Sequence, residues 1–272
     1  MRSALRDAAA RLSAVSDTPR LDAELLMAHA LGVERDRVLL DGDRLTVPDG
    51  FAALIERRMA HEPIAYIIGY RDFWTIRLSV GPGVLIPRPD SETLIEAVLE
   101  HFPDHAAPLR VLDLGTGPGT LLLAVLSEFP EAQGLGIDAS ERAITFAEDN
   151  ALDLDMDERV RFRLGDWAVG LQGQFDLILC NPPYVESEAL LDRQVAEFEP
   201  AGALFAGIEG LDDYRRILPM LPPLLAPNGL AVLEIGATQR LAVSALAEGE
   251  GLKVSCRRDL GGRDRALLCQ WR

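Results

Sequence analysis

Asn181-Pro182-Pro183-Tyr184 sets an amide, two rigid imino acids and an aromatic ring in consecutive positions. The four follow Phe175-Asp176-Leu177-Ile178-Leu179-Cys180, an apolar run of strand length and strand composition. Each proline lacks an N–H and holds its own φ at about −65°. Each also drives the residue before it out of the helical region. The pattern predicts a stiff, extended turn at the carboxyl end of a strand, where open α/β sheets bind ligands. The Asn side-chain oxygen and a prolyl carbonyl are both acceptors. Together they can hold both hydrogens of a planar –NH2 group while Tyr184 covers its face. That chemistry suits an amide or amino nitrogen, and not a phosphate or a carboxylate. A strand-ending turn without chemistry has the same composition, because Asn and Pro are common in turns.

A second set of residues bears on a ligand. Asp113-Leu114-Gly115-Thr116-Gly117-Pro118-Gly119 follows a predicted strand and opens a predicted helix. Glycines let a backbone turn tightly and approach a ligand closely. The spacing is GxGxG, not the GxGxxG of the dinucleotide fingerprint, and no Walker lysine follows. Asp138 ends the next predicted strand, where an acid accepts both hydroxyls of a ribose. Asp166 and Trp167 end the third, where a carboxylate and a ring can hold an adenine. A nucleoside without phosphate, held by glycine loop, acid and aromatic, points to S-adenosylmethionine. Its cationic sulfonium suits an acidic cleft.

The elements that must position these residues alternate along the chain. Apolar runs at 110–114, 134–137, 160–164, 175–180 and 230–235 separate helical stretches near 119–129, 140–152, 210–225 and 238–248. Such alternation predicts a parallel sheet with helices on both faces. Two late β runs, 252–257 and 265–271, predict an antiparallel end. Residues 1–65 read as a helical bundle, with Pro19 at a helix start and Gly32 past its end. Tyr66, Ile67, Ile68, Phe73, Trp74, Ile76, Leu78 and Val80 are β-formers, so residues 66–86 are expected to form a hairpin linker. Residues 87–272 are then the larger domain. Asp90 or Ser91 is expected to cap the helix that follows it, with Arg88 and Glu92 at the mouth of the site. His29 and His61 read as packing or surface histidines.

With 48% hydrophobic residues, the chain holds enough apolar side chain for a large core. No apolar stretch is long enough to predict a membrane span, and Met1-Arg2-Ser3-Ala4-Leu5-Arg6-Asp7 has no signal core, so a cytoplasmic protein is expected. Cys180, Cys256 and Cys269 lack a metal-ligand spacing and read as reduced, buried thiols; no metal is expected. Residues 1–80 carry 11 Arg against 12 acidic residues, whereas residues 81–272 carry 16 Lys and Arg against 31. A domain so acidic is a poor duplex binder, since such binding relies on basic side chains against phosphates.

The chain resembles the HemK/PrmC family of protein-(glutamine) methyltransferases acting on peptide chain release factors. The resemblance rests on Glu62-Pro63-Ile64-Ala65-Tyr66-Ile67-Ile68-Gly69, Phe73-Trp74, Leu85-Ile86-Pro87-Arg88-Pro89-Asp90-Ser91-Glu92, the glycine loop, Asn181 to Tyr184, and Phe198-Glu199-Pro200. It implies a Rossmann-like class I S-adenosylmethionine-dependent methyltransferase domain with a seven-stranded, mostly parallel sheet, joined by a β-hairpin to an N-terminal helical domain that docks the substrate. It also implies methyl transfer to the side-chain amide nitrogen of the Gly-Gly-Gln glutamine of class 1 release factors, leaving S-adenosylhomocysteine. Asn181, Pro182 and Tyr184 would then be catalytic. Gly115, Thr116, Gly117, Pro118, Gly119, Asp138, Asp166, Trp167 and Asn181 would hold the cofactor. Arg88 and Asn181 to Tyr184 would meet the substrate. Ser91 stands where the family usually has threonine, and Pro118 interrupts the glycine loop. A ribosomal-protein glutamine methyltransferase ranks second, because that group shows Pro-Arg-Ser-Pro where this chain has Pro87-Arg88-Pro89-Asp90. A nucleic-acid amino methyltransferase ranks third, since such enzymes share the Asn-Pro-Pro-Tyr type of turn. A non-catalytic binding protein on the same fold is the remaining alternative.

Overall fold

The computed structural model describes residues 1–42 and 44–271 and divides the chain into two compact units. The smaller comprises residues 1–70, 80–82 and 191–199. Its helices are α1 (Arg2–Leu12), α2 (Pro19–Leu31), α3 (Arg35–Asp41), α4 (Phe51–Met59) and α5 (Ile64–Ile68). Pro19 occupies the first position of α2, where its missing N–H costs nothing, and Gly32 closes the helix at φ 64°. Leu12, Leu26, Met27, Phe51 and Ile55 form the core of this unit. Within it Arg58 pairs with Asp22 at 2.9 Å, both side chains almost fully buried. Arg58 also donates to Val15 O and Glu62 O, so the buried cation is well supplied with acceptors.

One expectation fails here. Tyr66, Ile67 and Ile68 are helical, in α5, and not strand. A short apolar run has no readable period. Its ends decide: Pro63 precedes the first turn, and Gly69 ends it at φ 86°. The hairpin is correspondingly shorter, β1 (Tyr70–Phe73) with β2 (Ile76–Ser79). Trp74 turns it at φ 53°, its N–H donating to Glu92 Oε1 at 3.0 Å and its indole to Glu128 Oε1 at 2.6 Å.

The larger unit is a doubly wound sheet. In chain order it contains α6 (Glu92–His101), β3 (Arg110–Leu114), α7 (Thr120–Glu128), β4 (Gln133–Asp138), α8 (Glu141–Asp153), β5 (Val160–Leu164) and β6 (Phe175–Cys180). The chain then contributes α9 (Arg193–Phe198) to the smaller unit. It returns as α10 (Asp212–Ile217), α11 (Leu221–Leu224), β7 (Leu225–Glu234), α12 (Arg240–Gly249), β8 (Leu252–Arg258) and β9 (Asp264–Trp271). The expected helix near 210–225 is broken, because Pro219, Pro222 and Pro223 remove donors from its middle.

Strand order is β5-β4-β3-β6-β7-β9-β8, with β9 antiparallel to both neighbours. Side chains alternate between two cores. Val111, Leu177, Leu179 and Val232 face one layer. Leu112, Leu114, Ile178, Cys180 and Leu233 face the other. Burying each such side chain contributes about 1.5–3 kcal/mol. Cys180 and Cys269 are buried free thiols; Cys256, expected buried, is half-exposed on β8.

Register aligns the strand ends. Leu114 pairs with Ile137 and with Cys180, and Cys180 pairs with Leu233. The next residues along those four strands, Gly115, Asp138, Asn181 and Glu234, therefore stand in one row at the carboxyl edge of the sheet. The chain runs from β3 to β4 on one side and reaches β6 on the other, so the row crosses the topological switch point, the usual ligand crevice.

Candidate active site

The glycine loop is fixed before any ligand arrives. Gly115 and Thr116 donate N–H bonds to Ile137 O at 2.8 and 3.0 Å. Gly115 sits at φ 73°, and a Cβ there would lie 3.0 Å from the Trp167 ring. Glycine is required twice at that position, for the backbone angle and for the close ring. The Asn150 carboxamide, buried on α8, donates to Pro118 O at 2.8 Å and accepts from Ser79 N at 2.7 Å. It clamps the loop against the hairpin.

Carboxylates line the loop. Asp138 accepts from Gly117 N and from Ser140 N, each at 2.9 Å. Burial pushes its carboxyl above the usual range, opposed by backbone N–H bonds from Ser140 and Gly117. Asp113 is buried beside it. Thr116 Oγ1 donates to its Oδ2 at 2.7 Å, while its Oδ1 has no hydrogen-bond partner. Burial, aided by the charge of Asp138, pushes Asp113 up to about 7, against the Thr116 hydrogen bond. Asp166 is spanned by Arg216, whose Nη2 lies 2.7 Å from both of its oxygens. Trp167 stands at φ 49°.

At the other end of the row, Asn181 begins the rigid turn. Its Nδ2 donates to Ser91 Oγ at 3.4 Å. Ser91 Oγ lies 2.5 Å from Glu234 Oε2, and Tyr184 Oη donates to Glu234 Oε1 at 3.1 Å. Glu234 is 1% exposed. Its carboxyl is raised by burial, opposed by the Ser91 hydrogen bond, the Arg265 charge and the Tyr184 hydrogen bond. Burial likewise raises the Tyr184 phenol, and Glu234 adds to the effect. The turn is braced from behind, where Gln239 Nε2 donates to Tyr184 O at 3.0 Å. Val185 bridges to Phe205, and Gly210, at φ 66°, packs where a Cβ would meet Tyr184 O at 2.2 Å.

One cavity of about 380 Å³ joins the two ends. Gly115, Thr116, Gly117, Pro118, Asp138, Asp166, Trp167, Asn181, Pro183 and Arg88 line it, as do Asp113, Ser91 and Arg216. Gly119 does not; it starts α7 at φ 86° against Leu123. Pro182 is buried behind the turn, and Tyr184 points to Glu234 and not into the cavity. Glu92 is away from the cavity wall, on the Trp74 amide. Ser91 is the N-cap of α6 but makes no side-chain cap bond, since its hydroxyl serves Glu234. Sequence reasoning missed Glu234, Arg216 and Asn150. For Glu234 one signal was present: an acid closing the apolar run of β7. Among the described residues no cluster of His, Cys, Asp and Glu suits a metal, and no helix is long and apolar enough to cross a membrane.

Comparison with known proteins adds lineage to geometry. Residues 3–69 match the family described as PrmC N-terminal domain, and residues 89–204 match Methyltransferase small domain. The chain is 44% identical over 262 residues to the release factor glutamine methyltransferase of Rhodospirillum rubrum, covering 94% of this chain and 80% of that protein. It is 43% identical over 259 residues to the protein of that name from Caulobacter vibrioides, covering 93% and 89%. A methyltransferase of known structure from Pyrococcus furiosus superposes with a TM-score of 0.52 at 18% identity, over 80% of this chain and 96% of that one, a likeness of fold alone.

Proposed function

Because the chain belongs to the release factor glutamine methyltransferase family, we propose that the 380 Å³ cavity is where it methylates a glutamine of a class 1 release factor, the one in the Gly-Gly-Gln motif. The methyl donor is S-adenosylmethionine and the acceptor is the side-chain amide nitrogen. The observation that carries this reading is that one cavity is walled by the glycine loop and Asp138 at one end and by Asn181 at the other.

The residues fit the donor. Asp138, beside Gly117, offers carboxylate oxygens where ribose hydroxyls would bind. The Trp167 ring, packed on Gly115, offers a flat wall for the adenine. Asp166 is held beside it by Arg216. The unpartnered buried Oδ1 of Asp113 matches the ammonium of the methionyl part. When bound, S-adenosylmethionine supplies an electrophilic methyl group on a cationic sulfonium and departs as S-adenosylhomocysteine.

The chain's own residues then position the nucleophile. An amide nitrogen is weakly nucleophilic because its lone pair is delocalised. Asn181 Oδ1 accepts one of its hydrogens and aims it across the cavity, while Pro182, buried off the cavity wall, stiffens the turn that carries Asn181. The Asn181 oxygen also stabilises the positive charge that grows on nitrogen as the N–C bond forms. No strong base is needed, because an N-alkylated amide readily sheds its extra proton to water. Positioning of this sort supplies several of the about 7–11 kcal/mol available from orientation. Pro183 walls the site, and Tyr184 holds the turn through Glu234. Arg88, also on the cavity wall, would meet the protein substrate at the mouth. The helical unit is the proposed dock for the body of the release factor, and a cytoplasmic site of action follows from that substrate.

The test is label transfer. Incubated with methyl-labelled S-adenosylmethionine, the protein should label a release factor, and not the same factor with the Gly-Gly-Gln glutamine changed to alanine. Equal label on both factors, or preferential label on a ribosomal protein or on DNA, would overturn the reading.

A further inference from the structure

We propose that Glu234, acting through Ser91, fixes which end of the Asn181 carboxamide faces the substrate, and is thus a positioning residue for methyl transfer. The proposal rests on the role given above to the cavity and to Asn181.

The argument follows the hydrogens. An ionised carboxylate only accepts, whereas a serine hydroxyl has one hydrogen to give. Ser91 Oγ lies 2.5 Å from Glu234 Oε2, so its hydrogen is committed there. What remains on Ser91 Oγ is acceptor capacity. Asn181 lies 3.4 Å away and must meet it with Nδ2, the donor end. The carboxamide is planar, so Nδ2 on Ser91 turns Oδ1 away from it, leaving the oxygen for an incoming –NH2. Reversal would set oxygen against oxygen at Ser91. It would also present hydrogens to the hydrogens of the target amide.

Glu234 is built for this task. It is 1% exposed and closes β7 next in the row to Asn181. Its second oxygen accepts from Tyr184 Oη at 3.1 Å, so one carboxylate orients both ends of the turn. The Arg265 guanidinium is fixed by Ile235 O at 3.2 Å and by Asp90 and Asp259. Its charge opposes the burial that raises the Glu234 carboxyl, as do the hydrogen bonds that Ser91 and Tyr184 donate to the two carboxyl oxygens. Tyr214 Oη, buried on α10, donates to the Glu234 carbonyl at 2.7 Å and pins the strand end.

Glu234→Gln separates orientation from architecture. Glutamine keeps the volume but brings an –NH2. With that group on Ser91, the serine hydrogen is released toward Asn181 and the carboxamide can turn over. The measurement is single-turnover methylation of whole release factor, with cofactor affinity by calorimetry and Tm alongside. The expected result is a fall in turnover of at least about tenfold, with cofactor affinity and the KM for release factor within about threefold of wild type. Ser91→Ala should lose turnover similarly, and Ser91→Thr should recover it by returning the hydroxyl. If Glu234→Gln does not fold, the Ser91 pair decides. Turnover within twofold of wild type in Glu234→Gln and Ser91→Ala overturns the proposal, and so does a loss that follows Tm and is not recovered by Ser91→Thr. A wild-type protein that labels no release factor would instead refute the function on which it rests.

Discussion

The Tyr184 hydroxyl donates to Glu234 Oε1 at 3.1 Å, which ties the aromatic member of the turn to a buried acid 50 residues away. From the sequence, Tyr184 is a ring stacked on the substrate, and its hydroxyl is idle. The structure gives that hydroxyl a load to carry. Removing it leaves one buried carboxylate oxygen short of a donor. Tyr184→Phe is therefore predicted to cost about 1–3 kcal/mol of stability. Denaturant unfolding of the two proteins measures this; equal midpoints would show the hydrogen bond to be immaterial.

Asp138→Ala should weaken S-adenosylmethionine binding tenfold or more. Stability should change little. The substitution strands the Gly117 and Ser140 N–H groups but also relieves a carboxyl that burial holds above its usual range. Calorimetric titration reads the affinity, and an unchanged Kd would remove Asp138 from the cofactor site.

Asp113 gives a pH signature. Its folded carboxyl is raised to about 7, from an ordinary value of 3.8. Between those values the unfolded chain has released the proton and the folded chain still holds it. Stability from this group is present in full below pH 4 and is lost as pH rises through 7. The difference in unfolding free energy between wild type and Asp113→Asn should drift against wild type over that window. The expected drift is on the order of 4 kcal/mol, from about 1.4 kcal/mol per pKa unit. A pH-independent difference would mean that Asp113 titrates normally.

The docking role of the helical unit is testable on α3. Leu39 and Leu40 are exposed there, by 46% and 82%. Changing both to serine should raise the KM for whole release factor several-fold and leave cofactor affinity unchanged. An unaltered KM would move the dock elsewhere on that unit.

What could be read from sequence divides along a physical line. The central strands at the site were legible because buried parallel strands are largely continuous apolar runs, 110–114 and 175–180 coinciding with β3 and β6, whereas β5 (160–164), at the sheet edge, alternates arginine with apolar residues. The glycine loop, Asp138 and Trp167 were legible because turn chemistry is local. Tyr66–Ile68 misled because the five apolar residues Ile64–Ile68 fit either period, and only Pro63 and Gly69 at the ends made the segment a helix. Ser91 was legible as a helix start but not as a ligand of Glu234, since residues 91, 181, 184 and 234 meet only when strand register sets β6 beside β7. Arg216 on Asp166 was hidden for the same reason, 50 residues away.

The central claim is that the Asn181 oxygen aims the amide that is methylated, and its most direct test is Asn181→Ala in single-turnover methyl transfer at saturating S-adenosylmethionine and release factor. Loss of one comparable transition-state hydrogen bond slows turnover by about 10²–10³-fold. A loss of that order in the chemical step, with Tm and cofactor affinity near wild type, is the predicted result. An Asn181→Ala protein that transfers methyl at nearly the wild-type rate would contradict the account and leave the turn at 181–184 as architecture alone.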